Sequence, residues 1–174
     1  MIQMLLENFF EKLSYADILK ISIIFEEKAK AFYQRAYEFS QKPQEKEFLR
    51  ILISDEERHA REFQRLYEQY QNDSKFNESY FSLDSSNCIR KLVTGHIYPA
   101  PNEELDRIEK ISSVLGYYNF ALKAENDAIF FYDEVVKTVT DCDTVRKVFA
   151  KFVMEEKMHK QELQNKIDKV LYTK

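Results

Sequence analysis

Apolar side chains recur every three to four residues through most of this 174-residue chain, and polar ones fill the gaps. That period marks helices with one buried face. The first long run carries Leu19, Ile23, Ala29, Tyr33, Ala36 and Tyr37 on its stripe, and the second carries Phe48, Leu52, Phe63 and Leu66. The last carries Val145, Val148, Phe149, Phe152, Leu163, Ile167 and Val170. These patterns predict long helices over about 14–41, 44–71, 112–138 and 141–171. Ser14, with Asp17 three residues on, suits the N-cap of the first, and Ser112 or Ser113 suits that of the third. Residues 1–13 read as a short amphipathic helix that packs on the rest or on a second subunit.

The residues that interrupt helices are scarce. Glycine occurs only at Gly95 and Gly116, and proline only at Pro43, Pro99 and Pro101. Antiparallel helices need only a few linking residues, so the stretch of about 72–111 is a crossover along the molecule. It should carry helix of its own near 85–93, and a short helix over 103–110 capped by Asn102. Two hairpins joined by one crossover form an all-α four-helix bundle, with residues 1–174 as a single domain.

The stripes contain charges where a core should be apolar. Glu26 has Ala29 at +3 and Tyr33 at +7; Glu125 has Ala128 at +3 and Tyr132 at +7. Positions i, i+3 and i+7 share one helix face. Glu56 lies on the Leu52–Phe63 stripe with His59 three residues on, and Glu156 lies on the Phe149–Leu163 stripe with His159 three residues on. The two halves of the chain thus repeat at a spacing of 99 or 100 residues. A carboxylate taken into an interior without a partner costs several kcal/mol, and four together repel one another. Lys30 and Lys160 could pair with Glu26 and Glu156 at the edge of the stripe, but Glu56 and Glu125 have no such lysine. Two divalent cations would neutralise all four. Oxygen ligands with two imidazoles suit iron or manganese, and zinc is compatible. A structural zinc site would use thiolates.

Nearby residues fall into other classes. Glu27, Glu57 and Glu155 sit one position off the seam and should be solvated, and His96 should lie on the surface of the crossover. Asp55 and Asp127 could hydrogen-bond the histidines or be plain surface charge. Tyr33 and Tyr132 could hydrogen-bond a ligand carboxylate or serve as aromatic core. A net charge of −4 with both signs interspersed gives no reason to expect nucleic acid. No apolar run reaches the ~18 residues of a membrane span. Cys88 and Cys142 form no CxxC pair and read as reduced thiols of a cytoplasmic protein. No basic segment precedes the first apolar run, so no signal peptide is expected.

The segments FEEKAKAFY, DEERHAREF, KAENDAIFFY and MEEKMHKQEL resemble the four helix signatures of the rubrerythrin branch of the ferritin-like superfamily, over about residues 14–171. The resemblance implies a ferritin-like bundle, a non-haem site with two iron ions, and reaction with hydrogen peroxide or dioxygen. It makes Glu56 and Glu156 bridging ligands and Glu26 and Glu125 terminal ones, with His59 and His159 serving one metal each. It also implies a homodimer. Rubrerythrin proper adds a rubredoxin domain with cysteine pairs, which these residues lack, so electrons are expected from a separate redox protein. Rubrerythrin also has a further glutamate where this chain has Ala128, which makes the present set more symmetric. The alternatives are iron sequestration with ferroxidase activity, or oxygenation of an organic substrate.

Overall fold

The computed structural model describes residues 11–95 and 114–172. Six helices lie among them: α1 Tyr15–Phe39, α2 Pro43–Tyr70, α3 Ser74–Asn77, α4 Leu83–Gly95, α5 Val114–Thr138 and α6 Asp143–Tyr172. The chain divides into two compact units, Met1–His96 and Ile97–Lys174. The expected helices at 1–13 and 103–110, His96, and the caps Ser112 and Ser113 fall wholly or largely outside the described residues.

In the first unit, α1 and α2 pack against each other as a hairpin. The N-cap of α1 is Ser14, whose hydroxyl accepts from the Asp17 amide while Asp17 accepts from the Ser14 amide at 3.0 Å. This reciprocal box satisfies two donors that a helix start otherwise leaves open. α2 begins on Pro43 itself, one residue earlier than the pattern suggested. Proline fits the first helical position because its missing N–H has no partner there in any case. The tight link is fastened by Glu45, which accepts from Ser40 Oγ at 2.9 Å and lies 3.2 Å from Lys42 Nζ.

The start of the crossover is stitched to the start of α1. Asp73 caps α3 by accepting from the Phe76 amide, and Tyr70 stacks on Phe76 with centroids 4.8 Å apart. Tyr15 meets Phe76 and Phe81 edge-on. An isolated bridge pairs Ser14 with Tyr80: the Tyr15 amide donates to the Ser79 carbonyl, and the Phe81 amide to that of Leu13. The buried Leu13 amide donates to Ser86 Oγ at 2.9 Å. Arg90 of α4 is fully buried and donates to Asn87 Oδ1 at 3.3 Å. Burial pushes its guanidinium below the ordinary pKa, and the charges of Glu11 and Asp17 oppose that shift.

The second unit is the hairpin of α5 and α6. Phe131, Tyr132, Val135 and Val139 are buried in it, with Val145, Phe149, Phe152, Leu163 and Ile167. The link is again short, and the Cys142 carbonyl accepts the first bond of α6 from the Arg146 amide. Both cysteines are free thiols, each half-buried.

The stripes differ from expectation at their margins. Ile23, Tyr37 and Val148 are only half-buried, Val170 is exposed, and Phe25 and Phe32 join the buried face of α1. Each residue turns the helix by about 100°, so a stripe read from sequence is uncertain by one position at its edges. Tyr37 accepts a hydrogen bond from Arg50 at 3.3 Å and has Lys46 over its ring. The Arg50 bond and charge hold its phenol below the usual range.

Replacing Ser86 with alanine should strand the buried Leu13 amide and cost about 1–3 kcal/mol. Urea unfolding should show a lower midpoint with unchanged slope. An unchanged midpoint would mean that the crossover is not held through this bond.

Candidate metal centre

The six predicted ligands are all buried. Glu26, Glu56, Glu125 and Glu156 are 2, 2, 4 and 1 % exposed, and His59 and His159 are 0 and 6 % exposed. Their neighbours explain how helices can place them inside. Glu26 shares its face with Ser22, Ala29 and Tyr33, and Glu125 with Tyr118, Ala121, Ala128 and Tyr132, all buried. The short side chains leave room for a carboxylate among aromatic rings. In α2 and α6 the Glu-x-x-His spacing sets carboxylate and imidazole on one face, a turn apart.

Each hairpin assembles one triad from both of its helices. In the first, His59 Nδ1 lies 3.7 Å from Glu26 Oε2 and 3.3 Å from Glu56 Oε2. In the second, His159 Nδ1 lies 3.8 Å from Glu125 Oε1 and 2.8 Å from Glu156 Oε2. Within each triad the three candidate ligand atoms lie within 4.8 Å of one another. Both histidines therefore present the same nitrogen, Nδ1, to two carboxylates.

These dimensions fit a first-row cation. Bonds of about 2.0–2.2 Å to imidazole and carboxylate put adjacent ligands of an octahedron roughly 3 Å apart and opposite ones roughly 4 Å apart. The donors are hard or borderline, two oxygens and one nitrogen per triad, with no sulfur. Such a set suits iron, manganese or zinc.

Residues off the seam behave differently. Glu27 and Glu57 are exposed, and Glu57 is 3.6 Å from Arg61. Glu155 is half-buried, 3.9 Å from Lys151. Asp127 pairs with Lys123 at 2.8 Å, the surface role. Asp55 accepts from Arg58 at 3.0 Å, and Arg58 Nη2 lies 3.3 Å from His59 Nε2. That contact of Arg58 was not anticipated, although the Asp-x-x-Arg spacing beside a histidine was its signal. Tyr33 and Tyr132 are buried; Tyr33 meets Phe32 edge-on. Tyr132 meets Phe149 edge-on and is tilted against Phe152, which lie two turns and one turn before Glu156.

Residues 17–167 match the Rubrerythrin family model. The chain belongs to the rubrerythrin family. All six candidate ligands of this rubrerythrin-family chain fall inside the match. A solved structure from Thermotoga maritima, of a protein assigned as a ferritin-like diiron-carboxylate protein, superposes with a TM-score of 0.71 at 20 % identity, covering 92 % of this chain and 98 % of that one. That likeness establishes the ferritin-like four-helix-bundle fold expected from the helical pattern. No curated protein matches the sequence significantly.

Replacing Glu56 and Glu156 together with alanine should abolish stoichiometric binding of a divalent metal, counted by elemental analysis after desalting. In the unsubstituted protein, metal at 100 times its dissociation constant should stabilise by about 2.7 kcal/mol. For a chain of this length that is a rise of roughly 5–10 °C in Tm. Equal melting of the metal-free and metal-bound protein would exclude a closed site.

Proposed function

We propose that each triad holds one iron ion and that the protein reduces hydrogen peroxide or dioxygen with electrons from a separate redox protein. The observation that carries this reading is the repeated, buried Glu-Glu-His triad, one per hairpin, with like geometry at each histidine. Membership of the rubrerythrin family supports it, as does the likeness to a diiron-carboxylate protein. Manganese or zinc would fit the same donors.

Glu26 and Glu56 are proposed as the carboxylate ligands of one metal, and Glu125 and Glu156 as those of the other. His59 and His159 would each serve one metal through Nδ1. Bound iron would supply electrons and a positive field that stabilises negative charge developing on oxygen. Reduction of one peroxide to two waters takes two electrons and two protons. The phenols of Tyr33 and Tyr132, buried on the helix faces that carry Glu26 and Glu125, are proposed to hold or pass those protons. Aromatic and aliphatic side chains around the carboxylates exclude bulk water, which strengthens every charge interaction inside. Only two cysteines occur in these 174 residues, too few for a four-thiolate iron centre, so a separate electron carrier is part of the proposal. A homodimer is the proposed assembly.

Stopped-flow mixing of the ferrous protein with peroxide should show oxidation faster than that of free ferrous ion under the same conditions. Substituting both tyrosines with phenylalanine should slow it by about 10²-fold without changing the metal count. Oxidation no faster than in free solution would remove the peroxidase reading. A large cage with mineral growth on a sizing column would replace it with sequestration.

A further inference from the structure

The two halves repeat their candidate ligands but not their outer surfaces. Met154 and Met158 of α6 are 68 and 64 % exposed, and among the described residues Tyr172 alone is a more exposed large apolar side chain. Each lies two residues from Glu156, a turn of about 200°, so both sit on the face of α6 opposite that buried carboxylate. Lys147, Lys151 and Lys157 stand at helical spacing around them. Between residues 146 and 160, α6 carries five cations, all exposed, and two acids, of which Glu156 is buried and Glu155 half-buried. At the matching positions of α2 stand Glu47 for Lys147, Glu57 for Lys157 and Ser54 for Met154. The outer face of α6 is therefore basic around an apolar centre, in a chain of net charge −4.

Such a face selects its partner by charge. A specific interface combines an apolar centre with a charged rim that orients the approach. A second copy meeting this face across a two-fold axis would set the same patch against itself, lysine opposite lysine, which costs affinity. An acidic protein meets the rim with carboxylates, and the flexible, polarisable thioethers adapt to its apolar surface. Lys147 lies 3.6 Å from Asp143 and Lys151 lies 3.9 Å from Glu155. Exposed pairs of this kind are weak and yield to a partner's carboxylates. The net negative charge of the chain disfavours docking of the same partner elsewhere.

We propose that this face of α6 docks the electron donor, a small acidic one-electron carrier. The proposal rests on the redox reading above. The helix that presents Lys147, Lys151, Met154 and Met158 outward also holds Glu156 and His159 inward. A docked carrier is thus separated from the triad by the thickness of one helix, about 10 Å. Each encounter oxidises the carrier by one electron and reduces one iron, and two encounters return the two electrons that one peroxide removes.

The probe is a plant-type ferredoxin, a small acidic iron–sulfur protein, mixed with the iron-loaded full-length protein. Calorimetry with oxidised ferredoxin reads binding, and stopped-flow mixing with reduced ferredoxin reads electron delivery. Binding should weaken as salt rises. Lys147→Gln, Lys151→Gln and Lys157→Gln together should weaken it about tenfold or more at low salt and slow electron delivery. Reduction by hydroquinone, which is small and uncharged, should not change. Met154→Gln with Met158→Gln should weaken binding at every salt concentration. Lys123→Gln with Lys137→Gln, a charge loss on α5, should leave binding and delivery as they were. Circular dichroism melting confirms that each variant is folded. Absence of salt-dependent ferredoxin binding, equal losses from the α5 control, or a solution dimer dissociated by Met154→Asp would overturn the docking surface and leave the redox reading standing. Iron that peroxide oxidises no faster than free ferrous ion would overturn that reading and the docking with it.

Discussion

Buried carboxylate charge is the constraint on which the rest of this molecule depends. Each hairpin takes two glutamates and a histidine out of water, and taking an ion out of water costs several kcal/mol even after relaxation. A helix can carry that burden only if something of opposite sign gathers the charges. The imidazole of each triad does so partially. A divalent cation would do so fully, which is why the same six residues raise the question of stability and that of function together.

The site also explains the arrangement of helices. Every triad draws on both helices of its hairpin, with one glutamate from α1 or α5 and a Glu-x-x-His pair from α2 or α6. A short link keeps the paired helices in register, and Glu45 with Ser40 and Lys42 fastens the first link. The first hairpin is further secured at its open end by the Ser14–Tyr80 bridge and the Leu13–Ser86 bond. Slippage of α1 against α2 by one turn would move Glu26 about 5 Å, more than the reach of a shared ligand set.

Much of this was legible in the sequence because helices convert spacing into direction. Glu26 and Tyr33, seven apart, had to share a face, and Glu56 and His59 had to sit a turn apart. Repetition of both patterns separated the candidate ligands from ordinary surface glutamates such as Glu27 and Glu57. What spacing could not reveal were contacts set by tertiary packing. Arg90 lies in an unremarkable polar run, yet it is fully buried. Ser86 reads as a loop or helix-start residue, yet it bonds a residue 73 positions away. Ile23, Tyr37 and Val170 lie at the margins of their stripes, where a small rotation decides between core and solvent. Arg58 escaped notice because arginine on a helix surface is common, and only the position of the His59 ring gives it meaning.

The chain handles buried charge in two different ways, and the contrast shows what the triads are suited for. Arg90 keeps a neutral amide acceptor, Asn87, and the fields of Glu11 and Asp17 offset part of the cost of its burial. The triads instead concentrate like charges: two carboxylate oxygens lie within 4 Å of one imidazole nitrogen in each hairpin. An arrangement serving stability alone would place a lysine or arginine there, as Arg90 shows this fold can. A cation bound as proposed would balance the converging acids. Binding of the proposed metal would relieve the repulsion between them, and a metal held between two helices would also restrain their motion. Binding and rigidity would then be coupled through the same few atoms.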